Sequence, residues 1–297
     1  MLKIPEKIIK EPEVNKKDLE KFLFEAEIDY NKKYERPPVI LSLIENYKNT
    51  IIEKKIFTFG NFSCIKGKAK SKKTFLLSLF VTPLITNNIF YDKIKAFLPE
   101  NKKLILWFDT EQGEYDSYIV LKRVIKLAKI HSENFKYFNL RRFSPIERCE
   151  IIEFSLNFYK NVGVVIIDGI TDLANAINDE IEATRVCSLL LRLTKDYNIH
   201  ISTIIHENKN DNFATGHLGS SIMKKAEVLI SVKNVDYNTC VSCDMIRGTE
   251  HFRDFYFEID NESKLPIIID FEKADKKADK RAVNNYYEVE KEEALPF

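Results

Sequence analysis

Along the chain, short unbroken apolar runs alternate with stretches whose apolar residues recur every three or four positions. The runs at 57–65, 103–109, 135–140, 162–168, 199–206 and 228–233 predict strands, several of them buried on both faces. Residues 240–247 and 255–259 alternate apolar with polar side chains and predict antiparallel closing strands. Helical spacing covers 74–85, a segment with Tyr118, Leu121, Ile125, Leu127 and Ala128 as its apolar stripe, 182–197, and the surroundings of 221–226. Ser144, Pro145 and Glu147 open a further helix that ends near Asn161, with Ser144 capping and Pro145 in the first helical position. Strands that alternate with helices imply a mainly parallel sheet with helices on both faces. The expected architecture is an α/β domain over 51–271, preceded by an extension at 1–50 and followed by a charged tail at 272–297. In the extension, Leu19, Phe22, Leu23 and Ala26 fall at helical spacing with Asp18 as a cap. Tyr34-Glu35-Arg36-Pro37-Pro38 then breaks the chain, and 40–47 is a short helix or strand.

The link between the first run and the first helix is Lys66-Gly67-Lys68-Ala69-Lys70-Ser71-Lys72-Lys73-Thr74. A phosphate loop has the pattern G-x-x-x-x-G-K-[ST] between a strand and a helix. Gly67, Lys73 and Thr74 fall at that spacing, and Lys72 stands where the second glycine belongs. The N–H groups of this loop are expected to turn around the phosphates of ATP, ahead of the positive end of the following helix. Lys73 then reaches the β- and γ-phosphates, and the Thr74 hydroxyl holds Mg²⁺. Lys72 suits its place if its φ is negative, or if local contacts offset the strain of a positive one. A lysine-rich surface turn is the plainer reading of the same residues. Asp168, at the end of an apolar strand, is a second Mg²⁺ ligand or a strand-end cap. Asp109 and Glu111 follow another buried strand, on the edge where open α/β sheets bind ligands. His206 ends a third strand, as a γ-phosphate sensor or as a structural histidine.

Composition changes this picture little. The chain has 297 residues, room for one large α/β domain with extensions or for two small ones. With 44% apolar and 31% charged residues it reads as an ordinary globular protein. A net charge of +1 neither demands nor excludes nucleic acid, although lysines are dense in the loop. Five cysteines, an odd number without framework spacing, suggest a reducing cytosol. Cys240-x-x-Cys243 has no second pair and reads as two small side chains in or near a strand. Residues 1–14 hold no signal-peptide core, and no apolar run approaches ~20 residues, so a cytoplasmic protein without a membrane span is expected.

Together, Gly67–Thr74, Asp109-Thr110-Glu111-Gln112, Val164-Val165-Ile166-Ile167-Asp168-Gly169, His206-Glu207-Asn208-Lys209 and Gly216-His217-Leu218-Gly219-Ser220-Ser221 resemble the RecA/DnaB-type ATPases. The chain looks most like the small helicase-like replication ATPases of plasmids and mobile elements, over roughly residues 40–260. The resemblance implies a RecA-like three-layer domain, ATP and Mg²⁺ as ligands, and Glu111 as the residue that activates the attacking water. It implies that His206 reports the γ-phosphate to the loop after it, and that this loop touches single-stranded DNA through Lys209 and His217. Lys224 and Lys225 add positive charge for the same partner, whereas Asn178-Asp179-Glu180 is acidic. In the family an arginine from a late strand enters the neighbouring subunit's site; Arg247 matches it here, or else pairs with Asp244 or Glu250. Met245 stands where DnaB-type proteins carry a lysine. The implied protein is a homo-oligomer, a hexameric ring acting on DNA, with a primase or initiator as a further partner. A nucleotide-switched DNA-binding filament and a KaiC-like switch without nucleic acid are the alternatives.

Overall fold

The computed structural model describes residues 16–48, 50–207 and 216–269; the tail expected at 272–297 lies outside them. The chain divides into two units, Met1–Arg36 and Pro37–Phe297. In the first, α1 (Lys16–Ala26) carries Leu19, Phe22 and Leu23, all exposed, and Asp18 stands inside its first turn rather than ahead of it.

The second unit begins earlier than 51. β1 (Val39–Tyr47) pairs antiparallel with β2 (Thr50–Thr58) and buries Ile40, Leu41 and Leu43, so residues 37–50 belong to the compact unit and not to an arm. The apolar run at 57–65 is two strands. It turns at Gly60, whose φ of 73° suits a residue without a Cβ, and resumes as β3 (Phe62–Gly67). The chain continues through α2 (Lys73–Thr86), β4 (Ile89–Phe90), β5 (Ile94–Ala96), β6 (Leu104–Asp109), α3 (Glu114–Ala128), β7 (Phe135–Asn139) and α4 (Pro145–Phe158). Then come β8 (Val162–Asp168), α5 (Glu180–Asp196), β9 (His200–His206), α6 (Gly216–Lys225), β10 (Val228–Val235), β11 (Asn238–Ile246), β12 (Phe255–Ile259) and β13 (Pro266–Ile269). At α4 the Ser144 hydroxyl accepts from the Glu147 amide while the Glu147 carboxylate accepts from the Ser144 amide, with Pro145 in the first turn.

A nine-stranded sheet runs β13-β12-β11-β10-β3-β9-β8-β6-β7. The strands from β10 to β7 are parallel, and β11, β12 and β13 are antiparallel. The path through this sheet places the helices. From β3 the chain moves outward to β6 and β7, then returns through β8 and β9 and ends beyond β3 at β10. Parallel crossovers are right-handed, so reversing direction moves the helices to the other face. Accordingly α2 and α3 pack on one face, with Leu76, Phe80, Val120 and Val124 against Ile65, Trp107 and Ile166. On the other face α4, α5 and α6 bring Ile152, Leu190 and Ile222 to Phe108, Val165 and Ile205. The result is an α/β domain of three layers. A separate antiparallel sheet, β2-β1-β5-β4, covers α2, where Phe57 meets Phe80 edge to face at 5.8 Å. The buried stripe of α3 includes Val120, Val124, Leu127 and Ala128; Leu127 and Ala128 are as expected, whereas Tyr118 is exposed and Val120 and Val124 take the place given to it and to Ile125. No helix among the described residues is long and apolar enough to cross a membrane.

β8 lies between β9 and β6 in the parallel part of this sheet and carries Asp168 at its end. At its start a Cβ on Gly163 would fall 1.9 Å from the Lys102 carbonyl oxygen. Gly163→Ala is expected to destabilise the domain by about 1–3 kcal/mol or more, because backbone has to move to admit it. Urea unfolding measures this; an unchanged midpoint refutes it.

Candidate functional site

Four parallel strands end close together in two pairs, β3 and β9 running about two residues beyond β6 and β8. Gly67 on β3 pairs with His206 on β9, and Asp109 on β6 pairs with Asp168 on β8. The helices after β3 and β6 lie on one face and those after β8 and β9 on the other, which opens a crevice at these carboxyl ends, the usual place for a ligand in such sheets. A cavity of about 390 Å³ occupies it. The cavity is lined by the loop from Lys70 to Thr74, by Phe75 and Arg123, and by Glu111, Asp168 and His206.

Gly67 is required by close approach: a Cβ there would lie 2.4 Å from the Val232 carbonyl oxygen and 2.6 Å from Ser71 Oγ. The loop then turns through two left-handed lysines, Lys70 at φ 64° and Lys72 at φ 68°. Lys72 therefore occupies the glycine position with positive φ, a conformation that costs a non-glycine residue roughly 1–2 kcal/mol. Its ammonium donates to Thr239 Oγ1 at 3.0 Å, a contact that offsets part of the strain. Lys73 starts α2, and its buried ammonium donates to the carbonyl oxygens of Gly67 (2.8 Å) and Lys68 (2.9 Å). Burial lowers the Lys73 pKa, against the pull of Asp168 and Glu111. Lys68 and Ala69 are exposed and face a second cavity, on the other side of the loop.

The Thr74 hydroxyl donates to Asp168 Oδ2 at 3.1 Å. Burial, helped by the nearby Asp109, raises the Asp168 carboxyl to about 7. A hydroxyl and a buried carboxylate whose charge is poorly supported by protein groups form a donor pair that suits a hard divalent cation. Asp109 differs. It is fully buried but accepts from the amides of Glu111 (3.1 Å) and Gln112 (3.0 Å), the Gln112 side chain (3.0 Å), Ser117 (2.8 Å) and Tyr137 (2.8 Å). Its role is to shape the turn that presents Glu111.

Glu111 Oε2 lies 3.3 Å from His206 Nε2, and His206 Nδ1 lies 3.2 Å from the Lys73 ammonium. An ammonium only donates, so Nδ1 accepts from Lys73 and the proton of Nε2 points to Glu111. This hydrogen bond is the main reason that the Glu111 pKa is lowered. Lys73, His206 and Glu111 thus form one chain along the cavity lining.

The other expected residues are dispersed. Lys209 lies outside the described residues. His217 begins α6 while Lys224 and Lys225 end it, about 11 Å apart along the helix axis. Arg247 follows β11, which runs antiparallel to β10 with Ile246 opposite Val228, so it stands at the other edge of the sheet from the cavity. Its Nη2 donates to the Lys224 carbonyl at 2.8 Å. It makes no ion pair with Asp244, which holds Lys66, or with Glu250, which holds Lys54. Cys240 and Cys243 sit in β11 and are free thiols. Asp179 caps α5 by accepting from the amides of Ile181 and Glu182, so the acidic stretch before that helix is partly structural.

Asp109, expected on the ligand edge, stands there as the organiser just described. Two groups have no counterpart in the expectations. Arg123 lines the cavity from α3, one turn beyond Val120 on the buried side of the helix. Lys66 is buried and makes ion pairs with Glu207 (2.9 Å) and Asp244 (2.8 Å), joining β3 to the residue after His206 and to β11. No protein-family model matches the chain, and none of the curated proteins does.

The strain at Lys72 separates two substitutions. Lys72→Gly relieves the backbone and loses the Thr239 contact; Lys72→Ala loses the contact and keeps the strain. The glycine variant is expected to be the more stable by about 1 kcal/mol. Paired thermal unfolding curves decide it, and equal or reversed stabilities refute the left-handed assignment.

Proposed function

We propose that the protein hydrolyses ATP with Mg²⁺ in the crevice, as a RecA-like ATPase. One observation carries this reading: the Lys73 ammonium, the Thr74–Asp168 pair and the Glu111–His206 pair meet in one cavity behind a strand–loop–helix of phosphate-loop spacing. Lys73 exchanges its loop carbonyls for the outer phosphate oxygens. Thr74 and Asp168 would hold the ion, which would offset charge on the transferring phosphoryl group. Glu111, half-exposed beside the cavity, takes the proton of the attacking water as the bond to the leaving diphosphate breaks. His206 fixes the Glu111 carboxylate and senses whether Lys73 has moved.

The wider reading is a motor on single-stranded DNA, assembled as a homo-oligomeric ring and serving the replication of a mobile element. It rests on the resemblance and on Arg247, which is out of reach of its own cavity and exposed for a neighbour's.

Steady-state ATP hydrolysis with and without single-stranded DNA tests both levels. Glu111→Gln is expected to keep ATP binding and lose about 10²–10⁴-fold in turnover. Lys73→Ala is expected to fold and lose ATP affinity in calorimetric titration; unchanged affinity sinks the loop assignment.

Shared sites have a separate signature. An Arg247→Ala subunit mixed with a Glu111→Gln subunit should regain activity, because the first keeps its carboxylate and the second donates its arginine. Absence of rescue, with activity independent of dilution, leaves a monomeric ATPase switch.

A further inference from the structure

Among the described residues Arg123 makes no ion pair; Asp168, which lines the same cavity, is the one carboxylate that pulls on its charge. Its guanidinium carbon lies 3.6 Å from the centre of the Phe75 ring, close enough for the planar group to stack on it. Its Nη1 is buried and makes no hydrogen bond, and no carboxylate among the described residues pairs with it. Burial lowers its pKa to about 10, a direction opposite to that of a guanidinium held by a carboxylate, such as Arg185 beside Glu182. Holding an unpaired charge away from water is costly, and packing alone does not ask for it. A methionine would cover Phe75 as well. The side chain nonetheless lines the cavity together with Lys70, Lys72 and Lys73, against the carboxylates of Glu111 and Asp168. Cations outnumber carboxylates there, which fits an anionic ligand of high charge.

Position narrows the ligand group. Phe75 directly follows Thr74, and α3 packs beside α2, so Arg123 approaches from the Thr74–Asp168 side of the cavity and not from the Gly67 side. In a phosphate loop the backbone and its lysine cradle the β- and γ-phosphates, and the ion held by the hydroxyl and the carboxylate bridges oxygens of both, so this side of the cavity is where the outer phosphate lies. We propose that Arg123 recognises the terminal phosphate of a nucleoside triphosphate from within the same subunit, and so distinguishes triphosphate from diphosphate. The ring of Phe75 holds the guanidinium flat, with Nη1 ready to donate to a phosphate oxygen. This assignment rests on the nucleotide reading of the cavity. It is independent of Arg247, which acts, if at all, on a neighbour.

The experiment is calorimetric titration of the full chain with magnesium adenosine 5′-(β,γ-imido)triphosphate and, separately, with magnesium ADP. Arg123→Met is expected to weaken the triphosphate analogue by about 10–100-fold and to leave ADP within about twofold, the loss of one charge-assisted hydrogen bond. Arg123→Lys, which keeps the charge but not the flat stacked group, should fall between. Thermal unfolding without nucleotide supplies a readout that a structural role would move the other way: Arg123→Met should match or exceed the parent, since a buried unpaired charge is gone. Equal losses for both nucleotides, a loss for neither, or a lowered midpoint in the variant overturns the proposal. A parent that binds neither nucleotide overturns the nucleotide reading itself, and the Arg123 assignment with it.

Discussion

Two parallel neighbours in one sheet can be joined only by a right-handed crossover, and the chain changes direction once, at β7. That constraint produces the crevice. Had the chain continued outward from β7, α4, α5 and α6 would have stacked on the same face as α2 and α3, and the carboxyl ends would have been covered. Because it turned back, β3 and β6 send their helices to one face and β9 and β8, between them, to the other, and the level pairs Gly67–His206 and Asp109–Asp168 border the gap. The polar groups of the site are then held by buried strands, which fixes their spacing more tightly than loops would.

The charges placed in that crevice are of two kinds. Asp109 is surrounded by donors and behaves as a structural anion, stable because its oxygens are occupied. Asp168 and Arg123 are not balanced in this way: one is a carboxylate raised to about 7 and the other a guanidinium lowered to about 10, both chiefly by burial. Perturbed groups of opposite sign in one cavity are a mark of sites that work on ligands. Stability is given up locally to keep them, as happens where function and local folding rules disagree.

Hydrophobic pattern made the parallel strands legible, because a strand covered on both faces shows an unbroken apolar run whatever its neighbours are. It also located the edge that carries the cavity, since polar residues follow such a run where the strand leaves the core. The same pattern concealed the break at Gly60, where both pieces are apolar and only a backbone angle marks the turn. It missed β4, β5 and β13, which are too short to show a period, and it placed 37–50 outside the compact unit because a double proline looks like a boundary. In α3 the exposed Tyr118 drew the stripe away from Val120 and Val124. The loop was legible from Gly67, Lys73 and Thr74, but the left-handed Lys72 was not, since φ at a non-glycine residue has no signature in composition. Arg123 was hidden for a related reason: an arginine in an amphipathic helix looks like any solvated charge until the helix has a neighbour.

Lys66, Glu207 and Asp244 carry a consequence for how this protein can change over generations. Lys66 and Glu207 are buried while Asp244 is exposed; removing one partner of a buried pair leaves charge unpaired and costs about 3–5 kcal/mol, whereas replacing the pair by apolar side chains of similar volume is often neutral. Between two workable solutions lies a valley that single substitutions cannot cross. The three positions are far apart in the chain, and their ion pairs bind the start of the loop to the residue after His206 and to the strand leading to Arg247, so a change at one is felt at the others.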